Sequence, residues 1–350
     1  LSADVVRSSK TARPSARTNC DSSPLPFGSR ESQRADHANT FMGPDPKTCL
    51  YRFSEKKYCT EVTDHPSAQS SSAVQNIDQA TVVSFGDEWS RFDQSALDLA
   101  EQRRIFDQYF AVFPWHVLPA NAEGFDMGCG SGRWAKLVRE RVGKLNCIDA
   151  SDEALQVARR NLADCDNMAF IHSSVDGQPV PDGSQDFGYS LGVLHHIPDT
   201  AAAMASCVKL LKPGAPFLVY LYYRFDNRPA WFRAIWKASE LLRATISAMP
   251  GWMKHIVTDL IALVVYWPLA RIAWLSEKLG FGLRNLPLYG YRNFSFYTMR
   301  TDARDRFGTP LEHRFTRDEI RAMMSAAGLK DVLISDGEPY WCAVGVKAVG

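Results

Sequence analysis

The stretch Gly124-Phe-Asp-Met-Gly-Cys-Gly-Ser-Gly-Arg-Trp-Ala135 reads as a short buried strand, a glycine-rich turn and the start of an amphipathic helix. Glycine at alternate positions of Gly128-Cys-Gly-Ser-Gly132 lets backbone lie against a ligand and take positive φ. A helix opening on such a turn offers free N–H groups and the positive end of its dipole to a carboxylate or phosphate. A tight strand–helix turn with no ligand would need the same glycines, so the companion motifs decide between the two.

A dinucleotide fingerprint requires G-x-G-x-x-G, and its third glycine would fall on Arg133. That counts against a nicotinamide oxidoreductase. With Asp126 two residues ahead of the turn, the pattern is D-x-G-x-G-x-G, which resembles motif I of the class I S-adenosylmethionine (SAM) dependent methyltransferases. The resemblance implies that the turn holds the methionine part of SAM, with Asp126, Gly128, Cys129, Gly130, Ser131 and Gly132 at the cofactor.

The 350 residues suffice for one large domain or two small ones, and 45% apolar with 23% charged residues is a soluble globular composition. A net charge of +1 gives no global field for nucleic acid or an anionic membrane. None of the eight cysteines forms a C-x-x-C pair or a Cys/His cluster with zinc spacing, so no metal site is expected. Reduced cysteines inside apolar segments point to an intracellular, cytoplasmic setting.

Residues 1–80 are rich in Ser, Thr, Pro and Arg without sustained periodicity. They read as a disordered extension, and the Arg- and Ser-rich start is also compatible with an organelle-targeting peptide. The folded domain is expected over 81–350. Ser84 to Phe92 carries three aromatics, Phe85, Trp89 and Phe92, followed by a helical pattern from Ala96 to Phe113 that Pro114 ends. In the family such a segment folds over the cofactor, which makes these aromatics lid candidates.

Downstream, Trp134, Leu137, Val138 and Val142 suggest one helix face, and Lys144–Asp149 a second strand ending in a carboxylate. An acid about 20 residues past the glycine turn can accept both hydroxyls of a ribose, which nominates Asp149 with its neighbour Ala150. Ser151 is placed to cap the next helix. Asn167–His172 is the third strand. The following segment, through Pro179-Val-Pro-Asp-Gly-Ser-Gln-Asp186, resembles the family's adenine-contacting turn and P-x-P-D-G-S-x-D loop. Ser174 stands where the family usually has aspartate; Val175 and Asp176 are the alternatives for the same contact.

Asp186–Leu191 is the fourth strand, and Gly192-Val-Leu-His-His-Ile-Pro-Asp199 leaves its end. This string resembles the ubiquinone/menaquinone-type (type 11) methyltransferases. It places Gly192 and Val193 at the cofactor and His195 or His196 beside the acceptor, where imidazole could orient or deprotonate a hydroxyl. Phe217–Tyr223 is the fifth strand; it empties into Tyr223 and Arg228, weaker candidates on the acceptor side, because open α/β sheets bind ligands at the carboxyl ends of their strands.

The resemblance implies an α/β, Rossmann-like seven-stranded sheet in the order 3-2-1-4-5-7-6, its last strand antiparallel and helices on both faces. Residues 229–298 exceed the minimal fold and read as a helical cap over the acceptor site. The apolar run from Leu260 to Leu275 would measure roughly 24 Å as a helix, short of a bilayer core of about 30 Å, so a span is not expected. Membrane contact through this insertion is the second reading. Met299–Arg317 mixes charges of both signs, a salt-bridge network or part of the acceptor pocket. The expected activity is methyl transfer from SAM to carbon or oxygen of a small-molecule acceptor. The alternatives are a membrane-associated enzyme acting on a lipidic quinone-like acceptor and a non-catalytic SAM-binding protein.

Overall fold

A computed structural model describes residues 75–283 and 285–349. The reading of residues 1–74 as an extension lies outside the described residues. The chain builds one seven-stranded sheet in the order β3-β2-β1-β4-β5-β7-β6. The strands are β1 Glu123–Met127, β2 Lys144–Asp149, β3 Met168–His172, β4 Phe187–Leu191, β5 Pro216–Tyr220, β6 Leu329–Ile334 and β7 Cys342–Lys347. β1 to β5 are parallel, and β7 runs antiparallel between β5 and β6. β4 and β5 are buried at every residue, as strands covered on both faces must be. Gly124 and Gly188 let the sheet close on its aromatics: a Cβ on either would stand 2.2 Å from the ring of Phe187 or Phe125.

The helices are α1 Gln79–Arg91, α2 Leu99–Tyr109, α3 Ala135–Val138, α4 Asp152–Asn161, α5 Thr200–Leu210, α6 Ala230–Ser247, α7 Gly251–Ile261, α8 Trp267–Lys278, α9 Phe296–Gly308 and α10 Arg317–Ala326. Local chemistry sets their starts. Asp78 caps α1, Ser151 caps α4, and Thr316 with Glu319 makes a capping box on α10. Two apolar cores form, one including Phe106, Phe110 and Leu145, the other Phe125, Ile148 and Met204. A third joins the insertion to α9 through Ile246, Ala262, Tyr266, Ala270, Met299, Ala303 and Phe307.

Three expectations are corrected. Order extends upstream of residue 81: α1 starts at Gln79, and Asn76 bonds Asp176 and Asp199. The helix after the glycine turn is a single turn, Ala135–Val138, followed by a 3-10 turn. It therefore lacks the aligned peptides that a useful dipole needs. The apolar helix also reaches beyond Leu260–Leu275, running through Pro268. A π-helical turn, Ala262–Tyr266, precedes it, and Gly251–Lys278 forms one helix of 28 residues. The wider turn accommodates the proline, which lacks an N–H and crowds the carbonyl four residues back. By length and composition this helix could cross a membrane, contrary to the shorter span read from Leu260 to Leu275.

Candidate functional site

The carboxyl ends of β1, β2, β4 and β5 open into a cavity of about 790 Å³, roofed by α1 and the 229–298 insertion. On the β1 side lies the glycine turn, with Gly128, Gly130 and Gly132 at φ of 80°, 53° and 77°. No room exists for side chains here. A Cβ would meet Val193 at Gly128, the Trp89 indole at Gly130 and Leu162 at Gly132, all at 2.4–2.9 Å. The turn is stitched to β2: Gly128 and Cys129 donate to the Ile148 carbonyl at 2.8 and 3.0 Å, and Gly130 donates to Asp149 Oδ2 at 2.8 Å. These three amides are thus spent inside the fold.

Asp149 also accepts from Ser151 N at 2.9 Å through Oδ1. Each oxygen keeps a second lone pair, and Asp149 with Ala150 lines the cavity. Burial raises its pKa above the ordinary value. Ser131 Oγ is buried at the cavity wall with no hydrogen-bond partner among the described residues. Gly192, at φ 81°, would point a Cβ into open space at the cavity edge. An orphan hydroxyl, spare carboxylate lone pairs and a glycine edge fit the polar groups of an adenosyl amino acid.

Of the candidates, Gly128, Cys129, Gly130, Ser131, Asp149, Ala150, Ser174, Val175, Gly192, Val193, His196, Tyr223 and Arg228 all line this cavity, whereas Asp126, Gly132, Asp176 and His195 do not. Asp126 is fully buried under the turn, with the Tyr189 hydroxyl as its polar neighbour. Desolvation pushes its pKa up to about 8. Asp176 accepts from Asn76 N and Ser174 Oγ, so it steadies the edge instead of facing inward. His195 is fully buried, 4.0 Å centroid to centroid from His196 and 3.9 Å from Tyr222, with both ring nitrogens unpartnered among the described residues. Burial holds it neutral, well below the usual imidazole range. The 3-10 turn Leu194–His196 sends neighbouring side chains in different directions, so the His-His pair splits into a packed ring and a cavity ring.

His196 is the cavity ring. Its Nδ1 contacts the Leu311 carbonyl at 2.6 Å, and its Nε2 lies 3.8 Å from Asp305 Oδ1. With Nδ1–H donating to that carbonyl, Nε2 keeps its lone pair. Burial lowers the pKa of His196, while the nearby Asp305 carboxylate opposes this. Asp305 accepts from the Tyr222 hydroxyl, and burial raises its pKa. Asp302 and Glu88 line the same space, both pushed up by burial, Asp302 to about 6. Arg314 lies 5.0 Å over the Tyr222 ring and pairs with Glu312 at 2.6 Å. Tyr223 and Arg228 sit farther out, where Arg228 bonds Asn285 and Glu338 and holds Tyr223.

Sequence reading saw Asp305 and Asp302 only as members of a charged run. They lie three apart on α9, one helix face, but some hundred residues from His196, and nothing local joins them. Glu88 had no signal beyond its place between two lid aromatics. Of those aromatics, Phe85 and Trp89 reach the cavity, whereas Phe92 is buried against Tyr297. Ion pairs pin α1 to the insertion and to α9: Asp87–Arg304 at 2.8 Å, Asp87–His255 at 3.1 Å and Arg91–Asp259 at 2.5 Å.

Strand order 3-2-1-4-5-7-6, a glycine turn after β1 and an acid at the tip of β2 define a cofactor-binding α/β domain of the methyltransferase type. A family profile described as a methyltransferase domain matches residues 125–219. A ubiquinone biosynthesis O-methyltransferase of Serratia proteamaculans (strain 568) is 27% identical over 234 residues, 63% of this chain and 90% of the relative. A protein of the same name from Alkalilimnicola ehrlichii is 31% identical over 133 residues, 37% of this chain and 53% of its own length. The chain thus spans most of the first relative and about half of the second. A SAM-dependent methyltransferase of Thermotoga maritima shares 14% identity at a TM-score of 0.41, covering 76% of this chain and all of that one. Residues 125–219 thus carry a SAM-dependent methyltransferase domain of class I, and the chain is similar to the ubiquinone biosynthesis O-methyltransferases.

Proposed function

We propose that the protein methylates a hydroxyl oxygen of a small-molecule acceptor, with SAM as donor and His196 Nε2 as the proton acceptor. When bound, SAM supplies an electrophilic methyl group on a positively charged sulfur. The residues to hold it are the cavity-lining part of the glycine turn, Gly128 to Ser131, with Asp149 and Ala150 for the ribose, Ser174 and Val175 for the adenine, and Gly192 and Val193 at the β4 edge. Asp126, Gly132 and Asp176 support these from behind.

The observation that carries the acceptor side is the buried, unpartnered Nε2 of His196 at the cavity wall. Its tautomer is set by Leu311 O, and its neutral form is favoured by burial. A neutral imidazole can take the proton from an acceptor hydroxyl, and Asp305 at 3.8 Å then stabilises the imidazolium. Tyr222, through its bond to Asp305, fixes that carboxylate. Phe85, Trp89 and the insertion exclude water, which strengthens these charge effects. Relatives named as O-methyltransferases support an oxygen acceptor.

Calorimetric titration of SAM and S-adenosylhomocysteine into wild type and Asp149→Ala tests the cofactor half. The expected result is binding that weakens at least about tenfold, or roughly 1.4 kcal/mol, in the variant. Folded wild type that binds neither ligand refutes the reading.

A further inference from the structure

The cavity wall built by α1 and α9 carries three carboxyls, Glu88, Asp302 and Asp305. Two of them are tethered: Asp302 accepts from the Tyr291 hydroxyl and Asp305 from that of Tyr222. Glu88 is different. It is 1% exposed yet lines the cavity, and its Oε2 has no hydrogen-bond partner among the described residues. Buried carboxyls are ordinarily paired or hydrogen-bonded, so an orphan at a cavity wall marks a place for a donor on a ligand.

The protein's own cations do not fill that place. Arg306 is taken by Glu240 and Glu312, Arg314 by Glu312 and Arg228 by Glu338. Arg304, beside Asp305 on α9, pairs with Asp87 at 2.8 Å and does not line the cavity. Arg133 does line it, its guanidinium 4.2 Å over the Trp134 ring, and its charge reaches Glu88 and Asp302. One cation against three acids leaves positive charge in deficit. Burial first, and neighbouring carboxylates second, hold all three carboxyls above their ordinary pKa, Asp302 at about 6. Aromatic faces lie alongside. Tyr109 and Tyr220 line the same cavity edge to face at 4.9 Å, and Tyr109 feels the charges of Asp302 and Asp305. Rings beside carboxylates attract an ammonium, whose three N–H donors can serve acids on two helices at once.

We propose that the acceptor carries a protonated amine, which Glu88 and Asp302 receive against the rings of Tyr109 and Tyr220 while the acceptor hydroxyl meets His196. Asp305 links the two ends. It lies 3.8 Å from His196 Nε2 and one helical turn from Asp302, about 5–6 Å between Cβ atoms. That spacing suits a hydroxyl and an amine a few atoms apart on one small molecule. The hydroxyl end rests on the oxygen-methylation reading above; the ammonium pocket rests on the three carboxyls and the rings.

The test is calorimetry on the full chain saturated with S-adenosylhomocysteine. The probes are meta-hydroxybenzylamine, meta-hydroxybenzyl alcohol and meta-hydroxybenzoate, which share one skeleton and differ in charge. The amine should bind at least about tenfold tighter than the alcohol, with the benzoate weakest. In Glu88→Gln/Asp302→Asn the amine and the alcohol should bind within about twofold of each other. Circular dichroism and S-adenosylhomocysteine affinity of this variant should match wild type, which separates loss of the ammonium pocket from loss of fold. Equal binding of amine and alcohol by wild type overturns the proposal. So does tightest binding of the benzoate, or no binding of any probe at millimolar concentration. A double variant that loses S-adenosylhomocysteine in step also overturns it, and assigns the two acids to the ammonium of the cofactor. An amine preference without methyl transfer from SAM sustains the ammonium pocket and counts instead against the oxygen-methylation reading.

Discussion

Asp126 should make the protein less stable as pH rises through neutrality, and Asp126→Asn should remove that slope. The carboxyl is fully buried beside the Tyr189 hydroxyl, and desolvation raises its pKa from 3.8 to about 8. The folded state therefore holds a proton that the unfolded state gives up above about pH 4. The stability it favours is complete below pH 3.8, falls as pH climbs through the window from 3.8 to about 8, and levels off beyond. At about 1.4 kcal/mol per pKa unit, the ceiling is about 6 kcal/mol, of which roughly 4 falls between pH 5 and 8. Asn cannot ionise, so wild type should lose about 2–4 kcal/mol relative to the variant between pH 5 and 8. A constant offset from the new amide does not affect this difference. Other buried acids, Asp302, Asp305 and Glu88 among them, contribute equally to both proteins and cancel. The assay is urea unfolding of both proteins at several pH values, read by tryptophan fluorescence. A stability difference that stays constant within about 0.5 kcal/mol over this range would refute the buried, protonated carboxyl.

Four further outcomes follow from the acceptor side and the frame. With an acceptor in hand, His196→Ala should lower kcat by about 10²–10⁴-fold, with SAM affinity unchanged by calorimetry. Equal loss of SAM binding would make His196 a cofactor residue instead. Because burial lowers the His196 pKa, the neutral ring persists below pH 6.5, so the acid limb of the kcat profile should lie under that value. Asp305→Asn should slow turnover about 10–100-fold and move that limb further down, since the carboxylate favours the protonated ring. Glu101 accepts from Ser295 N at 3.0 Å and from Thr298 Oγ1 at 2.7 Å, fastening the start of α9 to α2. Glu101→Ala should cost about 2–4 kcal/mol in chemical denaturation, and an unchanged midpoint would discount that tie.

The sequence by itself determined the sheet and one wall of the site. The glycine spacing at 128–132, the carboxylate closing Lys144–Asp149 and the Gly192–Val193 exit are local patterns. Each fixes a turn or a strand end through a few neighbouring residues, and together they carry the family resemblance that implied the strand order. The helix start at Ser151 was legible for the same reason: a cap is a hydrogen bond across three residues. Only the tertiary structure decided the rest. His195 and His196 are alike in sequence, and it took the packing of Tyr222, Leu311 and Asp305 to bury one ring among its neighbours and turn the other to the cavity. Asp126 looked like a cofactor ligand because it neighbours the turn, but strand alternation placed it beneath. Glu88, Asp302 and Asp305 come from α1 and α9, which the folding of the insertion brings over the sheet. Pairing charges across some two hundred residues, as in Asp87–Arg304, leaves no periodic trace. The outward oily stripe of Gly251–Lys278, with Ile256, Leu260 and Leu263 in it, is the clearest case. The sequence shows a helix apolar around much of its circumference. Which side faces the protein was set by α9, whose contacts select the small and polar stripe and leave the large apolar one outside.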